Sequence, residues 1–163
     1  MDNQYLKCLD TIITIAPCNG THILAKPKVF KSFIDPDFTN LRLGKPCVAT
    51  KETVIQVYEM VKGKVSWAQL FGFFDAVLDK LCLTQHQIEA FCENNFNWLC
   101  AKDTGTFFLT KKNWKAPATL NNLFVVLVFG YPSGLRIFAC RFENDSRWYT
   151  DDPYCFVVPQ LVD

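Results

Sequence analysis

The sequence predicts an α+β fold: two capped helices packed on a C-terminal four-stranded antiparallel meander, with an α/β extension before them. Three observations carry this. Two helix-capping signatures follow one another mid-chain, Ser66 with Gln69 and Thr84 with Gln87. Four β-rich runs fill the last third. A chain of 163 residues, half of them apolar, with fifteen phenylalanines, is of single-domain size and can bury roughly 70% of its unfolded surface.

Within that one domain, residues 1–62 form the extension, 63–100 the helix pair and 101–163 the sheet. In the extension, DTIITIAP (10–17) is rich in β-branched residues and reads as a strand, with CNGT as the turn after it. Pro27 suits the first turn of a short helix carrying Val29, Phe30, Phe33 and Ile34, and IDPDFTN reads as a loop. TVIQVYEMV (53–61) reads as a strand, with a helix as the alternative.

The helix pair rests on reciprocal caps. A Ser or Thr side chain accepts from the backbone three residues on, and a Gln at that position reaches back; Val65/Leu70 and Leu83/Ile88 add the hydrophobic staples. Apolar residues at 67, 70, 71, 74, 77, 78 and 81 recur at helical spacing, so helices are expected near 67–81 and 85–99. On the second helix His86, Glu89, Glu93 and Asn97 share one face, read as the solvent face of an amphipathic helix rather than a metal site. TFFLT (106–110), LFVVLVF (123–129), LRIFACRFE (135–143) and YCFVVPQ (154–160) are the strands, and YPSG (131–134) turns the second into the third. The second is apolar on both faces, hence central and covered. The fourth reads as an exposed edge that could pair in a homodimer, with Pro159 discouraging it.

Seventeen basic and sixteen acidic side chains give a net charge of +1, without a tail of one sign. A dedicated duplex-DNA binder carries a clearer basic excess. No apolar stretch nears the ~20 residues of a membrane span, and the polar start does not read as a secretory signal. A cytoplasmic protein with no membrane partner is therefore expected. The eight cysteines lack any CxxC pair and several lie in apolar periodic segments, so reduced, structural thiols are expected. GxGxxG, GxxxxGK[ST], GxSxG and HExxH are all absent, which lowers the expectation of nucleotide-using and common hydrolytic enzymes. No cofactor and no metal is expected.

Three candidate sites stand out. Cys18 and His22 supply the residue types of a nucleophile and base, which work only within hydrogen-bond reach and with a lowered thiol pKa. Lys111, Lys112 and Lys115 surround Trp114, the ingredients of single-stranded nucleic-acid binding. Arg141, Arg147, Trp148, Tyr149 and Tyr154 are of the types enriched at protein-interface hot spots.

The segments SWAQLFG, LDKLCLTQHQIEAF, GTFFL, LRIFACRFEND and FVVPQL, over roughly the last hundred residues, resemble a group of small bacterial proteins. The resemblance implies a bacterial or mobile-element origin and one cooperative helix-plus-sheet unit, and assigns no residue a role. The leading expectation is a non-enzymatic protein-binding module, a regulator, inhibitor or adaptor of a larger bacterial or phage complex. Single-stranded nucleic-acid binding and a small cysteine-dependent enzyme are the alternatives.

Overall fold

In the computed structural model the described residues are 4–25, 29–61, 65–99, 105–143, 147–148 and 154–161; side chains at 68, 72–76 and 147–148 lie outside the description. In chain order the strands are β1 (Leu6–Cys8), β2 (Ile13–Ile15), β3 (Phe33–Ile34), β4 (Thr53–Met60), β5 (Val65–Ser66), β6 (Thr106–Lys111), β7 (Leu123–Tyr131), β8 (Gly134–Arg141), β9 (Arg147–Trp148) and β10 (Cys155–Pro159). The helices are α1 (Asp37–Asn40), α2 (Trp67–Phe71) and α3 (Gln85–Asn94). Tighter 3₁₀ turns extend α2 over Gly72–Leu81 and follow α3 at Phe96–Trp98.

The expected two helices on a four-stranded meander give way to an eight-stranded mixed sheet with three short α-helices among the described residues. The order is β1-β4-β10-β6-β7-β8-β3, with β2 also on β4. The turn at Pro132–Ser133 joins β7 to β8 as expected, and β6, β7 and β8 form an antiparallel meander. The fourth strand departs from the prediction. Instead of flanking β8, β10 inserts between β6, to which it is parallel, and β4, to which it is antiparallel. It is an interior strand, which removes the exposed edge and the need for Pro159 to protect one. That proline lies past the β6 pairing, opposite Ile55. The N-terminal third joins the same sheet through β1, β2, β3 and β4.

The alternation of side chains then fills two cores. Val126, Val128, Phe108, Val157 and Ile55 face α3 and the N-terminal segments. Val125, Leu127, Phe107, Phe156 and Tyr58 face Trp67, Leu70 and Phe71. Both faces of the central strands are covered, which explains their unbroken apolar runs.

Both capping boxes form. Ser66 N–H donates to Gln69 Oε1 at 2.9 Å and Gln69 N–H to Ser66 Oγ at 3.2 Å; Thr84 and Gln87 repeat the exchange at 2.9 and 3.2 Å. The helices they start are shorter than expected. In place of a helix at 29–34, Phe33–Ile34 pairs with β8 and Phe30 is buried, while IDPDFTN holds the single turn of α1; Pro27 lies outside the described residues. No helix among the described residues is long and apolar enough to cross a membrane. Among the described residues six cysteines are free, but Cys155 is disulfide-bonded, so the all-reduced expectation fails.

Candidate functional site

The site is built by one turn of helix and two loops. Helix α1 ends in a Schellman-type cap: Leu43 N–H donates to Phe38 C=O at 2.8 Å and Arg42 N–H to Thr39 C=O at 2.9 Å. Phe38 and Leu43, the apolar pair of that motif, are fully buried. The residue between them adopts the left-handed conformation, normally glycine's, yet it is Arg42, at φ +59. The cap thus holds an arginine in a costly backbone state.

The second loop follows β6. Asn122, nearly buried, organises it. Its Oδ1 accepts from Asn113 N–H at 2.7 Å, and its Nδ2 lies within 2.9–3.2 Å of the carbonyls of Asn113, Ala116 and Pro117. Lys115 N–H is held by Asn113 Oδ1 at 3.0 Å.

Between the two loops lies a cleft of about 620 Å³, lined by Arg42, Lys45, Cys47, Lys112, Trp114 and Lys115, with Pro46, Val48 and Asn113 beside them. Four cations and no carboxylate line it. In a chain of near-equal charge this is a marked segregation, and it raises the local potential for an anion. Burial pushes the Cys47 thiol up, and contacts from Gln85 and the Trp114 indole offset only part of that, so the cleft holds no thiolate nucleophile.

The neighbouring lysine has a different task. Lys111 is 4% exposed, pairs with Asp79 at 2.8 Å, donates to Ala116 C=O at 3.2 Å and sits 4.9 Å from the centre of the Trp114 ring. It braces the loop from below. Of the four residues expected for nucleic acid, Lys112, Trp114 and Lys115 therefore line the cleft and Lys111 supports it. Arg42, Lys45 and Asn122 were not anticipated. No local signal links 42–45 to 112–115, because the two loops meet only in the folded sheet.

Cys18 and His22 take separate partners. The Cys18 thiol donates to Ala16 C=O at 3.4 Å, and burial raises its pKa, the opposite of what a nucleophile needs. His22 Nδ1 meets Glu89 Oε2 at 2.9 Å, and its ring stacks on His86 with centroids 3.9 Å apart and planes 8° from parallel. Glu89 is buried, with its side chain 4% exposed, as are Gln85 and Gln87. Of the face expected to be wet, Glu93 and Asn97 are exposed, whereas Glu89 is buried and His86 half-buried under the N-terminal segments, and each of these two takes a hydrogen bond in return. Among the described residues no cluster is arranged to hold a metal ion.

The interface candidates are dispersed over different elements. Arg141 ends β8 exposed; Tyr154 is half-buried, with its ring 4.8 Å from Phe107. Arg147 and Trp148 pair by backbone with Ser66 and Val65. Tyr149 lies outside the described residues.

Comparison with known proteins assigns no relative: no family model, curated protein or solved structure matches the chain.

Proposed function

We propose that this protein is a non-enzymatic binding module and that the cleft between the 42–48 and 112–115 loops takes single-stranded nucleic acid. One observation carries the reading: Arg42, Lys45, Lys112 and Lys115 converge with Trp114 on one open cleft that has no acid in its lining. Lysine and arginine supply phosphate contacts, and an aromatic ring in the same groove supplies a surface for a base. Duplex recognition rests on a broader basic surface than these four cations provide. Raised pKa values at Cys18, Cys47, Cys82, Cys92 and Cys140 argue against cysteine-dependent catalysis. The resemblance to small bacterial proteins makes a bacterial or mobile-element origin part of the same proposal. A cytoplasmic location is proposed as well. It rests on the free thiols, and the Cys155 disulfide counts against it.

Fluorescence anisotropy with labelled oligo-dT and oligo-U tests the ligand. Four phosphate contacts on a single strand predict a log–log salt slope of about −2.8, roughly a fiftyfold loss of affinity from 50 to 200 mM salt. The double charge reversal Lys112→Glu/Lys115→Glu should weaken binding on the order of 100-fold and flatten the slope, with circular dichroism unchanged. Binding indifferent to salt and to the reversal sinks the proposal. Absence of oligonucleotide binding, together with capture of a stoichiometric protein, returns the module to a protein-partner reading.

A further inference from the structure

Histidine occurs only twice in this chain, at 22 and 86, positions 64 residues apart in sequence, and the fold stacks the two rings face to face. Such a stack on the surface would be unremarkable packing if it were isolated. Here it is wired into the backbone. His86 Nδ1 lies 3.2 Å from the Gly20 amide and accepts its hydrogen, so His86 is neutral with its proton on Nε2. The same glycine passes the connection on: its carbonyl accepts from Cys47 N–H at 2.9 Å. Gly20 has φ +78, and a Cβ there would lie 2.4 Å from the Val48 carbonyl oxygen. Only glycine can bring the two loops this close.

Gln85, one residue before His86, ties the same two loops. Its Oε1 accepts from Leu24 N–H at 2.9 Å, and its Nε2 lies 2.7 Å from Leu43 C=O and 3.3 Å from Lys45 C=O. The first turn of α3 therefore fastens both the 18–25 loop and the loop that carries Arg42 and Lys45 to the cleft.

We propose that the His22–His86 stack is a proton-operated latch: neutral His86 locks Gly20, and through it the 42–48 rim of the cleft, onto α3, and protonation of His86 releases them. A proton on Nδ1 removes the only acceptor site His86 offers the Gly20 amide and confronts it with a second donor. When His22 is also charged, two cations face each other across the stack. The groups facing His86 are His22 from the 18–25 loop and Glu89 and Glu93 from its own helix. Burial and His22 lower its pKa below the ordinary imidazole value, and the two glutamates oppose that. Because the folded-state pKa is depressed, the unfolded chain takes up the proton first. The latch's contribution to stability is complete above about pH 6.5 and is lost as pH falls through the folded-state value. The latch needs no assumption about what the cleft binds.

The test is NMR on the free protein from pH 7.5 to 5, following His86 ring resonances and the exchange protection of the Gly20 and Cys47 amides, corrected for intrinsic exchange. Protection at both amides should fall at least tenfold with the midpoint at which His86 titrates. His86→Asn, whose Oδ1 can take the place of Nδ1 without titrating, should remove the step; His22→Gln, which removes the facing charge, should move it to higher pH. Gly20 remaining protected after His86 has titrated overturns the latch, as does a step that persists in His86→Asn. Loss at Gly20 with full protection at Cys47 overturns the link to the cleft. No ligand is present in the measurement, so its failure is distinct from failure of the oligonucleotide assay.

Discussion

Two concavities on this molecule hold charge of opposite sign and use it in opposite ways. One is the basic cleft. The other, about 370 Å³, is lined by Asp35, Asp37, Leu127, Phe129, Phe138, Ala139 and Cys140 on the sheet face opposite the α3 core. Its carboxylates are committed to the fold. Asp35 accepts from Asp37 N–H at 3.0 Å and Ala139 N–H at 3.3 Å, anchoring α1 to β8, and Asp37 Oδ1 accepts from Asn40. In the basic cleft, by contrast, the committed side chains are Lys111 and Asn122 underneath, while Arg42, Lys45, Lys112 and Lys115 carry no ion pair among the described residues. Charge that is tied to backbone amides holds structure together. Charge displayed without a partner is available to a ligand.

The sharpest way to break that contrast is to attack the committed group beneath the cleft. Asn122→Ala removes one accepted and up to three donated contacts in a nearly buried position, and should cost about 2–3 kcal/mol in chemical denaturation, because several carbonyls and an amide lose their partner at once. Next, Asp35→Ala should cost about 1–2 kcal/mol by leaving the first turn of α1 and an amide of β8 unsatisfied, with no effect on oligonucleotide affinity. A loss of affinity there equal to that of the cleft variants would erase the distinction between the two concavities. The smallest effect has the opposite sign. Arg42→Gly relieves a left-handed arginine and should raise stability by about 0.5–1 kcal/mol, read as an increase in Tm, while removing one cation and making the salt slope about 0.7 less steep. A residue that gains stability and loses affinity on replacement is retained for binding; a variant that loses both would assign Arg42 to the fold instead.

The elements readable from the sequence were those set by near neighbours. The two capping boxes join residues three apart, and the Pro132–Ser133 turn joins strands two residues apart, so their chemistry is visible locally. The strand runs at 106–110, 123–129 and 53–61 were similarly legible from their β-branched and aromatic content. What failed was pairing over distance. Nothing near residue 155 announces that β10 lies between β4 and β6, because strand order depends on the competition of whole surfaces. One position on the α3 face was misjudged for a related reason. Glu89 looks wet on a helical projection, but the 18–25 loop covers it and His22 supplies a hydrogen bond that no periodicity displays. The same distance concealed Arg42 and Lys45, the half of the cleft that sequence reasoning did not reach.

The interior place of β10 constrains how the chain is made. Among the described strands it comes last in sequence, and it lies between β4, about a hundred residues earlier, and β6. During synthesis β6, β7 and β8 emerge with their pairing partners to hand, but the sheet has two unsatisfied borders until residues 155–159 leave the ribosome. Those borders are rows of open amides and carbonyls beside apolar side chains, the surfaces most prone to pairing with another nascent chain. Stalled or prematurely terminated translation before residue 155 should therefore yield a sticky product rather than a smaller folded one, and the complete sheet forms only after synthesis has passed that point.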